Sequence, residues 1–256
     1  MSDEATTETT TEDEDDLEDD EEGAPPELQA KLALALDVDD LVAAMRMARM
    51  LKPWFGVAKV GLELYTAAGP TAIGALQDAG YDVFADLKLH DIPTTVNKSA
   101  AVIGAFGVKY LTIHAMGGPV MLRAGVDGFI DAALRADLEP PTALAVTVLT
   151  SDGDAPEHIL PKRVAAALEA GCGGLICAAP DLPLVRELAP RLVKVVPGTR
   201  PAGADTHDQA RTATPDAALA DGADLLVIGR TVTGAADPEQ AADDLVASLS
   251  PPAKTT

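Results

Sequence analysis

The chain has 256 residues, 47% of them hydrophobic but only 3% aromatic, which suffices for one large domain with a substantial core. No apolar run reaches the roughly 18 residues of a membrane span and no basic-then-apolar segment resembles a signal peptide, so membrane-spanning and secreted classes are excluded and a cytoplasmic protein is predicted. The net charge of −22 is unevenly spread: residues 1–24 hold thirteen Asp or Glu and no Lys or Arg, and the 28 acidic against 19 basic residues beyond them exclude a general nucleic-acid surface.

Residues 1–26 are rich in Thr, Asp and Glu, have almost nothing to bury, and are predicted to form a disordered acidic tail that Pro25-Pro26 ends. Residues 27–250 read as a single domain and 251–256 as a short C-terminal tail. Within the domain, apolar strand-like runs alternate eight times with helical patterns. The strands fall near Lys31–Leu36, Val57–Val60, Asp82–Lys88, Lys109–His114, Thr142–Leu149, Gly173–Cys177, Leu192–Val196 and Asp224–Ile228. Helical spacing marks Leu41–Leu51, Pro70–Ala79 and Val164–Ala170, and Gly80, Gly171 and Gly222 sit where helices stop. Such alternation implies right-handed βαβ units and a parallel sheet. Eight units in roughly 220 residues predict an α/β chain closed into a (β/α)8 TIM barrel. A doubly wound open sheet is the alternative, but no glycine-rich dinucleotide fingerprint follows the first strand. Cys172 and Cys177 lie in one apolar segment and read as reduced core thiols.

In such a barrel the active site lies at the C-terminal ends of the strands, so the polar residues that end each strand are the candidates. Strand one ends at Asp37, while Asp39 and Asp40 read as caps of the next helix. Strand two carries Lys59, a cation inside an apolar run that must be paired, with the carboxylates of strand three as expected partners. Strand three leads into Ala85-Asp86-Leu87-Lys88-Leu89-His90-Asp91-Ile92-Pro93-Thr94-Thr95. Alternation puts Asp86 and Lys88 on one face, whereas Asp91 has the opposite parity and need not join the same wall. Pro93 suits the first turn of a helix. Taken alone, this stretch also fits a salt-bridged strand end.

Strand four ends at His114, which reads as a satisfied strand-end histidine rather than a general base; His90 reads as a structural turn residue. Strand five ends in Thr150-Ser151, hydroxyls that either meet a bound ring or cap the next turn. Strand six ends without chemistry at Cys177-Ala178-Ala179. Strand seven ends at Arg200 and enters a long polar, lid-like loop that contains Gln209. Strand eight ends in Gly229-Arg230, and phosphate sites in barrels recur after strands seven and eight. Glycine allows close backbone approach there, and arginine supplies a forked cation. No His, Cys or acidic pair shows metal-ligand spacing, so no metal is expected.

The pattern Asp-x-Lys-x-x-Asp followed by Ile-Pro-x-Thr, carried by Asp86, Lys88, Asp91, Ile92, Pro93 and Thr95, resembles the signature of the orotidine 5′-phosphate decarboxylase family. The likeness continues in the same order from about residue 31 to 240, with no departure at a motif position. It implies decarboxylation of orotidine 5′-phosphate to uridine 5′-phosphate without cofactor, the last step of de novo pyrimidine synthesis. It matches Lys59, Asp86, Lys88 and Asp91 to the family's charged Lys-Asp-Lys-Asp array, with Lys88 stabilising and protonating the C6 carbanion. It matches Asp37 to a ribose- and base-contacting residue, Thr150 to a pyrimidine contact, and Arg200, Gln209, Gly229 and Arg230 to the phosphate site. It also implies a homodimer, in which Asp91 and Thr95 enter the neighbouring subunit's pocket. Two other readings share part of the pattern. A Mg²⁺-dependent sugar-phosphate relative would have an acidic ligand about where Lys59 stands, and a non-catalytic nucleotide-binding barrel would not need Asp86, Lys88 and Asp91 intact.

Overall fold

Eight parallel strands pair in chain order and the last returns to the first, so the sheet closes and has no free edge. They are β1 (Leu32–Ala35), β2 (Val57–Gly61), β3 (Asp82–Leu89), β4 (Tyr110–His114), β5 (Thr142–Val146), β6 (Gly174–Ile176), β7 (Val193–Pro197) and β8 (Leu225–Ile228). This computed structural model describes residues 23–200 and 213–249. The expectations for the acidic tail before residue 23, for Gln209 and its loop, and for residues 251–256 fall outside the described residues. The predicted (β/α)8 barrel is the fold, and the open-sheet alternative is excluded by the β1–β8 pairing. β5 ends three residues before the expected Leu149, because β6 offers only Gly174–Ile176 for pairing. Thr147 makes the final link, its N–H (3.2 Å) and its hydroxyl (2.6 Å) both donating to the Ile176 carbonyl.

Local chemistry sets the helix ends. The Asp40 carboxylate accepts the Ala43 N–H at 2.8 Å and caps Leu41–Leu51, whereas Asp39 precedes the N-cap. Pro93 takes the first position of the helix Pro93–Ala105, where its missing N–H costs nothing. Gly171 closes Ile159–Ala170 in the left-handed conformation at φ 78°.

Alternate strand residues fill the barrel: Ala33, Val57, Phe84, Leu144, Val146, Ile176, Val195, Leu225 and Val227 form one packed cluster. The Phe84 ring meets Tyr110 edge-on, with centroids 6.0 Å apart. The interior is therefore a solid plug rather than a pore. The outward strand residues join a second, larger cluster with the helices. Cys172 and Cys177 are buried there as thiols, and burial pushes the Cys172 thiol up to about 12. No helix among the described residues is long and apolar enough to cross a membrane.

The helices Pro93–Ala105 and Gly118–Arg135 approach backbone to backbone. A Cβ on Gly104 would collide with the Phe129 carbonyl, and one on Gly128 with the Asn97 carbonyl. One on Gly125 would press on Ile113 and Val96. The Asn97 amide locks the pair by donating to the Ala124 carbonyl at 2.8 Å. This contact fixes where the Pro93 end of its helix stands at the barrel mouth. Gly128→Ala is expected to force the helices apart and cost about 3 kcal/mol, lowering Tm by about 10 °C in thermal unfolding.

Candidate active site

The C-terminal ends of the strands surround a cavity of 610 Å³. Phe84, Val146, Ile176 and Val227 give it an apolar floor, which is the top of the barrel plug. Its wall is polar. Asp37 follows β1, Lys59 and Gly61 come from β2, Asp86 and Lys88 from β3, and Thr150 from beyond β5. Arg200 follows β7, and Gly229 and Arg230 follow β8. Of the described residues matched to the family's site, the cavity thus gathers all except Asp91 and Thr95.

Four of these residues form one row of alternating charge. Lys59 Nζ lies 2.8 Å from Asp37 Oδ1 and 3.6 Å from Asp86 Oδ2, and Lys88 Nζ lies 2.8 Å from Asp86 Oδ1. The expected partner of Lys59 on β3 is present, but the nearer carboxylate is that of Asp37. Lys59 is almost fully buried, and an ammonium is tolerated there only because both neighbours are anionic. Burial would raise the Asp86 pKa, but the charges of Lys59 and Lys88 outweigh it, as do hydrogen bonds from Lys88 and Thr112. The Asp86 carboxyl is therefore held below its ordinary value. The Lys88 side chain is 34% exposed against 8% for Lys59, so Lys88 is the ammonium that a molecule in the cavity would meet.

Two contributors to this row carried no assignment from the sequence. Gly61 closes β2, and a Cβ there would stand 2.9 Å from Asp37 Oδ1 and 3.1 Å from Lys59 Nζ, so a side chain would intrude on the ion pair. A glycine ending a strand beside a charged residue was the available signal. Thr112 lies fully buried in the middle of β4; its hydroxyl accepts the Lys88 N–H at 2.9 Å and donates to Asp86 Oδ1 at 3.1 Å. Lys88 itself adopts φ 48°, a left-handed conformation that crowds Cβ in any residue but glycine. Asp86 and Lys88 do come together as alternation predicts, but through a register shift between Ala85 and Leu89 rather than an even pleat.

In the same cavity, Arg200 and Arg230 arrive from the neighbouring strands β7 and β8, and Thr231 and Thr233 add hydroxyls that carried no assignment from the sequence. Gly198 makes the turn before Arg200 at φ 76°, a conformation open to glycine. Gly229 meets only Ala35 Cβ at 3.6 Å, so packing within the chain does not demand glycine there. Ser151 does not line the cavity.

Asp91 and Thr95 are exposed, and the Asp91 carboxylate accepts the N–H of its own neighbour Ile92 at 2.6 Å. Ile92, between them in the chain, is 66% exposed, and Met116 and Val120 after β4 are 58% and 71% exposed. The His90 and His114 rings meet at a tilt of 47° with centroids 5.7 Å apart, outside the cavity wall. Burial first, then the charges of Arg163, His90 and Lys88, push His114 below its ordinary value, and its Nδ1 accepts the Met116 N–H at 3.4 Å. It behaves as a satisfied strand-end histidine. Among the described residues, no three His, Cys, Asp or Glu side chains converge to hold a metal ion.

Known proteins resemble this chain over most of its length. A relative named orotidine 5′-phosphate decarboxylase in Frankia casuarinae is 40% identical over 88% of this chain and 90% of its own. One of the same name in Moorella thermoacetica is 42% identical over 86% and 92%. The crystal structure of orotidine 5′-phosphate decarboxylase from Lactobacillus acidophilus superposes with a TM-score of 0.72 at 31% identity, over 87% of this chain and all of that one. The family model for the orotidine 5′-phosphate decarboxylase / HUMPS family matches residues 30–245, and the chain belongs to that family.

Proposed function

We propose that this chain removes CO₂ from orotidine 5′-phosphate to give uridine 5′-phosphate, the closing step of de novo pyrimidine synthesis, using side chains alone. The observation that carries this reading is the row Asp37, Lys59, Asp86, Lys88 on the wall of a cavity that also presents Arg200 and Arg230 after β7 and β8. When the C6–carboxyl bond breaks, its electron pair stays on C6 in the ring plane, where the ring cannot delocalise it. CO₂ departs, and the charge left behind needs a cation fixed beside it. Lys88 is that cation, and its ammonium then donates a proton to C6. A preorganised ammonium in a water-poor pocket acts far more strongly than one in water.

Asp86 keeps Lys59 and Lys88 charged and in place, and its lowered pKa supports an ionised carboxylate at neutral pH. Reactions at the upper end of enzymatic demand need stabilisation approaching roughly 20 kcal/mol, which one charge pair does not supply. The phosphate, held by Arg200, Gly229 and Arg230 together with Gln209, provides binding energy remote from the chemistry for positioning the ring. Thr150 and Asp37 are assigned to the pyrimidine and the ribose. Asp91 and Thr95 are assigned to the cavity of a second copy, making a homodimer with shared sites. Their exposure away from their own cavity, with the exposed apolar Ile92 between them in the chain, supports that assignment.

The direct test is loss of orotidine 5′-phosphate absorbance on adding the protein; an unchanged spectrum overturns the reading. Lys88→Ala should lower kcat by at least about 10⁴-fold, combining loss of the proton donor and of the fixed charge, while uridine 5′-phosphate affinity stays within a few-fold. Turnover should survive EDTA, because Lys59 puts an ammonium where a Mg²⁺-dependent relative would place an acidic ligand. Mixing inactive Asp91→Ala with inactive Lys88→Ala protein should restore activity in heterodimers that hold one intact site. No recovery after verified subunit exchange would contradict a shared site.

A further inference from the structure

We infer that Thr112 is the positioning residue of the reaction: its hydroxyl sets Lys88 and Asp86 relative to each other by tying both to β4. The inference rests on the reading that Lys88 and Asp86 are the groups at the reacting carbon. β3 and β4 pair as Phe84 with Tyr110 and Ala85 with Leu111, and the next partners are Leu89 and Ile113. Asp86, Leu87 and Lys88 therefore face Thr112 alone, so β3 carries a bulge of two extra residues. Bulges are rare in parallel ladders, and next to active sites they re-aim side chains.

A bulge takes backbone groups out of the ladder. The Lys88 N–H would be left without its ladder partner, and the Thr112 hydroxyl accepts it instead at 2.9 Å. That hydroxyl has one proton to give. Asp86 Oδ1 lies 3.1 Å away and the Ala85 carbonyl 3.5 Å, so the carboxylate is the better acceptor. The same Oδ1 accepts from Lys88 Nζ at 2.8 Å. A closed ring results: Lys88 N–H to Thr112 Oγ1, Thr112 Oγ1 to Asp86 Oδ1, and Lys88 Nζ back to Asp86 Oδ1. The two ends of Lys88 are thus tied through one rotor. Thr112 is 0% exposed, so water has no access to replace it. The left-handed Lys88 backbone is a conformation that persists only where its surroundings over-determine it, and this ring does so.

The test compares Thr112→Val, Thr112→Ser and Thr112→Ala with the unmodified full chain and with Lys88→Ala, measuring kcat, KM, uridine 5′-phosphate affinity and the pH profile of kcat. Valine keeps the shape and removes the hydroxyl. Serine and alanine both lack the methyl group, so the hydroxyl alone separates them. A misplacement of about 1 Å at reacting groups costs on the order of 10²-fold. Thr112→Val and Thr112→Ala should therefore lose about 10²-fold in kcat, with KM and product affinity within about threefold, and Thr112→Ser should stay within about threefold of wild type. The hydroxyl helps to hold the Asp86 pKa down, so removing it raises that pKa. The acidic limb of the kcat profile should then move to higher pH in the valine and alanine variants and stay in place in the serine variant. A residue that merely packs would leave that limb unmoved. Wild-type kcat and limb in the valine or alanine variant, or a serine variant as impaired as alanine, overturns the proposal. If Thr112→Val does not fold, the serine–alanine comparison decides. An active Lys88→Ala instead overturns the underlying assignment of the reacting pair, whatever the Thr112 variants show.

Discussion

A buried ammonium needs carboxylates beside it, and the mouth of this barrel obeys that constraint with charges of alternating sign. Lys59 and Asp86 are largely buried, and the end members Asp37 and Lys88 are open to solvent. Along the row Asp37, Lys59, Asp86 and Lys88, each interior member has an opposite charge on both sides. The row sums to zero, so the barrel hosts it without a net buried charge. Neutralising one member strands its neighbour, and an uncompensated buried ion costs several kcal/mol. The surrounding residue choices follow from this. Gly61 leaves room for the Asp37–Lys59 contact, and Phe84 beneath keeps water from intruding below the row.

The closed sheet delivers this arrangement through adjacency. β1, β2 and β3 are consecutive in the barrel, with Ala35 opposite Lys59 and Gly61 opposite Asp86. Residues far apart in sequence thereby meet within salt-bridge distance. The arginines follow β7 and β8, and β8 borders β1, so the ion row and the arginines come from adjoining arcs of the barrel mouth. An occupant carrying a ring at one end and a phosphate at the other would span the space between them.

The fold was legible in the sequence because barrel strands are buried on both faces and appear as short apolar runs between amphipathic helices. All eight strands lie within a few residues of their expected places, and most wall residues were visible as polar side chains at strand ends. What escaped is non-local. Nothing near Lys59 in sequence says that Asp37, on another strand, is its closer partner. Thr112 looks like an ordinary β-branched strand residue between Leu111 and Ile113, and only the register of the neighbouring strand shows what it faces. The early end of β5 likewise depends on the shortness of β6. The left-handed φ of Lys88 has no local signature, since lysine does not favour it.

That last feature sets backbone strain against charge pairing at a single codon. Glycine or asparagine would relax the backbone at position 88 but would leave the Asp86 carboxylate with Lys59 as its remaining cation. Neither carries an amine. Directed evolution of a heat-tolerant form must therefore hold this residue fixed and look for its gains elsewhere on the scaffold.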